Sequence, residues 1–562
     1  MGRSFATRRD GDPVSALDGA DPADFGKSLL TTLSRAAARP AEVGAAALQF
    51  GVNLATVGPV AVRRWLGSQA AAPVPIDPKD RRFADPAWED NPAYFALRQT
   101  YLAAKLLGDE ILAAGRGDRR TDEKAQLAAD FIFDALAPTN FLATNPAAIK
   151  RALETAGGSV AAGGRNFLDD LVHNGGRPRQ VDRRPFELGR NLAATPGKVV
   201  FRNELMELIQ YAPQTAEVHA VPLLASPPWI NKYYVMDLAS GRSFIEWAVQ
   251  HGRTVFAISY RNPDATMKDV ALDDYLIHGP GAALDVIEEI TGASKIDIAG
   301  LCLGGALTAM TAAYLAATGD DRVGSLTLLN SLLDYSEPGV LAAFTDEQTV
   351  SRLEDQMAGT GFLDGAKMAA TFDVLRPNDL IFGFVVSNWL LGQRPPAFDI
   401  LAWNADSTRM PAAMHSFYLR SLYVKNQLAR GELSLAGQRL SLPDIKCDTY
   451  VVGAINDHIV PWQASYRATQ LLGGDVRYVL SSGGHIAGIV NPPNPKAWYQ
   501  VADENPPGAA AWRTSSKKRS GSWWEDWAAW ASAHGGPLGP PPPMGSERHP
   551  VSGEAPGDYV RG

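Results

Sequence analysis

KIDIAGLCLGGALTAMTAAYLAA (residues 295–317) decides the fold. Ile296 to Ala299 is a short apolar run bounded by glycine, which reads as a buried strand, and Ala306 to Ala317 is an alanine-rich stretch suited to a helix. Between them Gly300-Leu301-Cys302-Leu303-Gly304-Gly305 turns the chain sharply, with Cys302 at the apex and glycines where helix and strands must approach closely. This is the nucleophile elbow of an α/β sheet, with cysteine where hydrolases usually carry serine. The turn puts the thiol at a helix N-terminus, where the macrodipole favours thiolate. The plainer alternative is that Cys302 is a small buried hydrophobe and the glycines mark only a tight turn. The chain's other cysteine, Cys447, precedes an apolar run with no glycine frame and reads as structural.

The runs around the elbow repeat its logic. VHAVPLLASPP (218–228), TVFAISYRNPD (254–264), VGSLTLLNSLLD (323–334), CDTYVVGAINDHIVP (447–461) and VRYVLSSGGH (476–485) each read as a buried strand ending in Gly, Pro, Asn or Asp. Helix-length stretches separate them, so a parallel sheet covered on both faces is predicted, with its chemistry beyond the carboxyl ends of the strands. A nucleophilic thiol needs a base and a group to orient it, which in this arrangement follow in the order acid, then histidine. Asp457 and His485 supply both, each just after a strand. His458 is a second candidate base beside Asp457, but it does not follow the terminal strand. The oxyanion hole is expected to combine the backbone N–H of Leu303 with one from the loop 227–231, where Ile230 is the chosen donor.

These pieces predict an α/β-hydrolase fold with a cap insertion, preceded by a helical N-terminal domain. The expected boundaries are an alanine-rich segment and linker (1–78), a helical domain (79–200), the first part of the core (201–334), a cap (335–440), the second part of the core (441–536) and a disordered Pro/Gly-rich tail (537–562). In the helical domain, Tyr94, Leu97, Tyr101, Leu102, Phe133 and Leu136 have the spacing of a buried face.

Composition narrows the functional classes. With 562 residues, 46% hydrophobic and 20% charged, the chain has the balance of a globular protein larger than one core. A formal net charge of −8 offers no basic field for nucleic acid, and the local run Arg513, Lys517, Lys518, Arg519 reads as a solvated loop. Two cysteines imply no disulfide framework and suit a reducing cytoplasm. The first residues, MGRSFATRRDGD, carry neither an apolar export region nor Ser or Thr at position 6 for myristoylation. Residues 43–62 are uncharged and long enough to span a bilayer, but Gln49, Asn53, Thr56, Pro59 and three glycines dilute them, so a packed helix is expected, with an interfacial helix as the alternative. No histidine pair has metal-ligand spacing, and neither metal nor cofactor is expected.

At these residues the sequence resembles the poly(3-hydroxyalkanoate) synthases. Besides GLCLGG, the resemblance is carried by DRRFADPAWEDNP (80–92), NFLATNPAA (140–148), GRNLAATPGKVVFRNELMELIQY (189–211), PPWINKYYVMDL (227–238), SYRNPD (259–264), WNADSTRMPAAMHSFYLR (403–420), NDHIVPW (456–462) and GHIAGIVNPP (484–493). It covers residues 80–499. It implies that Cys302 carries the acyl group, with His485 as base and Asp457 as third member, and that (R)-3-hydroxyacyl groups pass from coenzyme A, itself part of the substrate, into polyester. It further implies a single-subunit enzyme acting as a homodimer at the surface of a cytoplasmic polyester granule. Trp403 matches a tryptophan of the cap and dimer region, and Asp264 reads as a turn cap. Two rivals stand beside this reading: a Cys-His-Asp hydrolase of the same fold, such as a thioesterase or dienelactone-hydrolase-like enzyme, and an inactive α/β-hydrolase acting as a binding or granule-surface protein.

Overall fold

The computed structural model describes residues 21–78 and 80–562; the N-terminal stretch read above for export and lipidation signals, and Lys79, lie outside them. The chain divides into two compact units, Met1–Asp182 with Ala366–Ala397, and Arg183–Gly365 with Phe398–Gly562.

The first unit is helical because its segments start on caps and prolines that cannot continue what precedes them. Helix α1 (Pro22–Ala37) opens with the Asp21 carboxylate accepting the Ala23 N–H, α3 (Pro92–Ala114) follows α2 (Pro40–Trp65) and opens on Asn91 in the same way, and α4 (Arg119–Ala135) opens on Asp118. Tyr94, Leu97, Tyr101, Leu102 and Phe133 gather around Phe83, Trp88 and Ala137, as their spacing predicts. Leu136 does not join them and is exposed. Helix α2 is the one helix among the described residues long and apolar enough to cross a membrane by length and composition, and little of its apolar stretch is buried. It packs through Ala46, Asn53, Val57 and Ala61, leaving Leu48, Val52, Leu54, Val62 and Trp65 exposed.

The expected cap does not hold together as one piece. Residues 366–397 fold with the helical unit: the Trp389 ring meets Phe167 edge-on at 5.0 Å, and its indole N–H donates to Asp170 at 2.9 Å. The anchoring partners lie some two hundred residues upstream, beyond the reach of any local pattern.

The second unit is built on one eleven-stranded sheet. Its strands are β1 (Gly197–Arg202), β2 (Met206–Tyr211), β3 (Leu223–Ser226), β4 (Val255–Tyr260), β5 (Ile296–Leu301), β6 (Val323–Leu329), β7 (Asp448–Ala454), β8 (Val476–Ser481), β9 (Trp498–Val501), β10 (Lys517–Ser520) and β11 (Gly553–Glu554). Across the sheet they run β10-β9-β8-β7-β6-β5-β3-β4-β2-β1-β11. From β4 to β8 all pairings are parallel, whereas β2 runs antiparallel to both neighbours. This is the predicted α/β-hydrolase arrangement. The central strands β3, β4 and β5 are buried along their whole length, which explains their near-continuous apolar sequence.

One boundary and one local reading change. The core begins before residue 201, because β1 lies inside the segment assigned to the helical domain and the second unit starts at Arg183. Strands β1 and β2 escape a search for apolar runs because they carry Lys198, Arg202, Glu207 and Gln210. Glu207 is wholly buried, yet it is satisfied by Arg202 and by the N–H groups of Asp558 and Tyr559. The basic run ends in a strand, not a loop: Lys517–Ser520 pairs with β9 at the sheet edge, and its exposed cations discourage further pairing.

The tail is ordered, contrary to its composition. Leu538–Gly539 pairs with Val218–His219, β11 pairs with β1, Gln210 brackets the chain by donating to Pro543 O and accepting from Gly545 N–H, and Val560 is buried. Composition counts the apolar side chains a segment could bury, whereas this one is held mainly through its backbone. Ending the chain after Gly536 should therefore strip donors from Glu207 and expose the β1 edge. A loss of about 2 kcal/mol or more in stability, with aggregation, is expected by thermal melting and light scattering; an unchanged melt would show that the pairing carries no stability.

Candidate active site

At Cys302 the backbone adopts φ 53°, ψ −114°, outside the regions that L-residues favour. Neighbouring packing imposes it. Cys302 N–H donates to Leu329 O on β6 at 2.8 Å, and Cys302 O accepts from Gly305 and Ala306 at the start of α5 (Leu303–Thr318). A Cβ on Gly300 would lie 2.5 Å from Gly305 Cα, and one on Gly304 would collide with the carbonyl oxygens of Ser226 and Pro227. The glycine frame is therefore a steric requirement of strand, elbow and helix packed together.

Asp457 and His485 arrive on the loops after β7 and β8, at the same edge of the sheet as the elbow. His485 Nδ1–H donates to Asp457 Oδ2 at 2.7 Å, while Asp457 Oδ1 accepts the N–H groups of Ile459 and Val460 at 2.8 and 2.9 Å. The carboxylate side chain has no exposed surface; three donors compensate its burial. Burial alone would lower the basicity of His485. The Asp457 carboxylate, the charge of the Cys302 sulfur and hydrogen bonds to both outweigh burial and hold the imidazole well above its ordinary pKa. The structure thus joins the three predicted residues, with imidazolium stabilised beside a thiol at a helix N-terminus. The partner of Asp457 is His485, not His458.

Cys447 lies before β7, at the opposite end of the strand from Asp457, and burial pushes its thiol up to about 12, the property of an inert structural cysteine. Asp264 caps a turn, accepting from Thr266 N–H and Arg261. Trp403 is buried and donates its indole N–H to Lys232 O at 2.7 Å. Leu303 N–H opens α5, and Ile230 stands on the loop after β3.

Two groups were missed in the sequence. Asn330, just past β6, donates to the backbone oxygen of His485 at 2.5 Å and so fixes the loop that carries His485. Its place at the end of a parallel strand was the available signal. The second group is a wall of buried tyrosines. Tyr335 meets Tyr423 at 4.8 Å and Tyr418 meets Tyr423 at 5.4 Å; burial above all, with the charge of Cys302, keeps these hydroxyls above their ordinary pKa and therefore neutral. They lie far from the elbow in sequence, in segments read only as cap.

The raised imidazole sets a sign for pH dependence. A group whose folded pKa exceeds its unfolded value of about 6.5 contributes fully below that pH and loses its contribution as pH rises through the folded value. In a Cys302→Ala background, where the Asp457 pair remains, protein with His485 should lose stability relative to the His485→Gln double variant as pH rises above about 6.5. Paired thermal melts check this, and a constant difference would contradict the raised imidazole.

The chain matches a family model described as the N-terminus of poly-beta-hydroxybutyrate polymerase over residues 79–248 and one for the alpha/beta hydrolase fold over residues 235–492. Among curated relatives, a poly(3-hydroxyalkanoate) polymerase of Methylorubrum extorquens is 40% identical over 558 residues, 98% of this chain and 92% of the relative. Poly(3-hydroxyalkanoate) polymerase 1 of Ectopseudomonas oleovorans is 40% identical over 96% of this chain and 94% of its own length. A poly(3-hydroxyalkanoate) polymerase subunit of Cupriavidus necator is 41% identical over 86% and 83%.

Proposed function

Because the chain belongs to the poly(3-hydroxyalkanoate) polymerases, and is therefore an acyltransferase that forms polyester, we propose that Cys302 carries the acyl chain as a thioester, with His485 as its base and Asp457 orienting that base. The observation that carries this reading is the buried Asp457–His485 pair beside the elbow thiol.

The chemistry follows from the groups present. Cys302 sulfur attacks the carbonyl of an (R)-3-hydroxyacyl coenzyme A, the bond to the coenzyme A sulfur breaks, and the departing thiolate takes a proton from the His485 imidazolium. One thioester replaces another, so the intermediate keeps the activation that an oxygen ester would lose. The 3-hydroxyl of a second acyl thioester then attacks the Cys302-bound carbonyl: its proton passes to His485, a carbon–oxygen bond forms and the carbon–sulfur bond breaks. Asp457 is an unsuitable direct base for that hydroxyl because its oxygens are already occupied by three donors and it has no exposed surface. Leu303 and Ile230 N–H groups are assigned to the developing oxyanion. The neutral tyrosine wall suits a site from which water must be kept, since hydrolysis ends a chain. Coenzyme A enters as part of the substrate, and the steps call on no metal or further cofactor.

The same proposal places the enzyme as a homodimer at a cytoplasmic polyester granule, working without a second essential subunit. The exposed apolar residues of α2 are the surface offered to that granule. Deleting residues 1–78 should release the protein from granules in fractionated cells; undiminished association would remove this assignment.

Thiol release from (R)-3-hydroxybutyryl coenzyme A with recovery of insoluble polyester tests the central reading. Wild type should give both, and Cys302→Ala should lose at least about a thousandfold in rate. Soluble hydroxy acid without polymer would instead favour the thioesterase alternative.

A further inference from the structure

The loop after β3 offers few amides to an oxyanion. Pro227 and Pro228 have no N–H, which leaves Trp229, Ile230 and Asn231. Asn231 is already committed, because its N–H donates to Thr408 Oγ1 at 2.8 Å. The same hydroxyl donates to Trp229 O at 3.1 Å. One oxygen thus bridges the residues on either side of Ile230, accepting from the one after it and donating to the one before. Among the described residues, neither the Trp229 nor the Ile230 N–H has a hydrogen-bond acceptor, and Ile230 is the one that the Thr408 bridge holds from both sides.

This turn needs holding. Asn231 has φ 63°, a left-handed conformation that a non-glycine residue adopts at some cost. Upstream, the loop is pressed against the elbow, where the Ser226 and Pro227 carbonyls leave no room for a side chain at Gly304. Downstream, Trp403 donates to Lys232 O at 2.7 Å, Tyr234 OH donates to Asp406 at 2.9 Å, and Arg409 N–H donates to Asn262 at 2.9 Å. The segment is therefore tied to this loop at Trp403, Asp406 and Thr408, while Arg409 ties it to the loop after β4. Thr408, itself buried, makes the one contact in this set that spans Ile230. As a β-branched residue it also holds its hydroxyl in a restricted rotamer.

Resting on the assignment of Cys302 as the acylated group, we propose that Thr408 is a positioning residue of the polymerase: its hydroxyl fixes the Trp229–Asn231 turn so that the Ile230 N–H is presented to the thioester oxyanion. It touches neither sulfur nor substrate. A donor of this kind accelerates reaction because it is already oriented before charge develops. Replacing the hydroxyl by a methyl leaves the part-buried Asn231 N–H and the buried Trp229 O unpaired, and the turn relaxes to recover them.

The experiment uses the full chain with Thr408→Val and Thr408→Ser. Two rates are compared: single-turnover thiol release from (R)-3-hydroxybutyryl coenzyme A, with Cys302 acylation followed by mass spectrometry, and alkylation of Cys302 by iodoacetamide, which passes through no oxyanion. Thr408→Val should slow acylation roughly ten- to a hundredfold, chiefly in kcat, while alkylation stays at the wild-type rate. Thr408→Ser, which keeps the oxygen, should restore most of the acylation rate. Thr408→Ala carries the same expectation as Thr408→Val should the valine variant not fold. Acylation at the wild-type rate without the hydroxyl would overturn the proposal, as would a parallel fall in alkylation, the mark of a general structural defect. Wild-type thiol release with no acyl group on Cys302 would instead overturn the underlying assignment.

Discussion

At Cys302 a buried strand must become a buried helix within one residue, and the reactive part of the molecule depends on that backbone constraint. The conformation is held because Leu329 O takes the Cys302 N–H from one side while the first turn of α5 takes its carbonyl from the other. Neither helix nor loop could close on the elbow if Gly300, Gly304 or Gly305 carried a side chain. The same closeness that forbids a Cβ brings the loop after β3 against the start of α5. The elbow and the loop after β3 are thus one packing arrangement, and strain at a single residue is offset by the burial around it.

Electrostatics completes what packing begins. A thiol at a helix N-terminus, an imidazole raised by a carboxylate, and a carboxylate occupied by three donors form a chain in which each charge is stabilised by the next. Around it stand phenols kept neutral by burial. The phenols therefore line this part of the fold without adding a competing charge.

The remainder of the catalytic unit shows how polar residues can be built into a core. Glu207 and Gln210 sit on a strand buried along its whole length and are satisfied by backbone groups more than three hundred residues away. The C-terminal segment is consequently part of the sheet's structure rather than an appendage to it.

What the sequence determined by itself was whatever depends on local chemistry. Strand, glycine-framed turn and helix at Cys302, Asp457 and His485 at the ends of later strands, and the apolar face through Tyr94 and Tyr101 all follow from spacing over a few residues. Tertiary structure decided what depends on distant partners. It placed residues 366–397 with the helical unit through Trp389 and ordered a proline-rich tail through its backbone. It also brought Asn330 to the loop of His485 and set Thr408 across Ile230. Each of these rests on hydrogen bonds or ring contacts whose partners have no fixed offset in the chain, and a periodic pattern carries no trace of them.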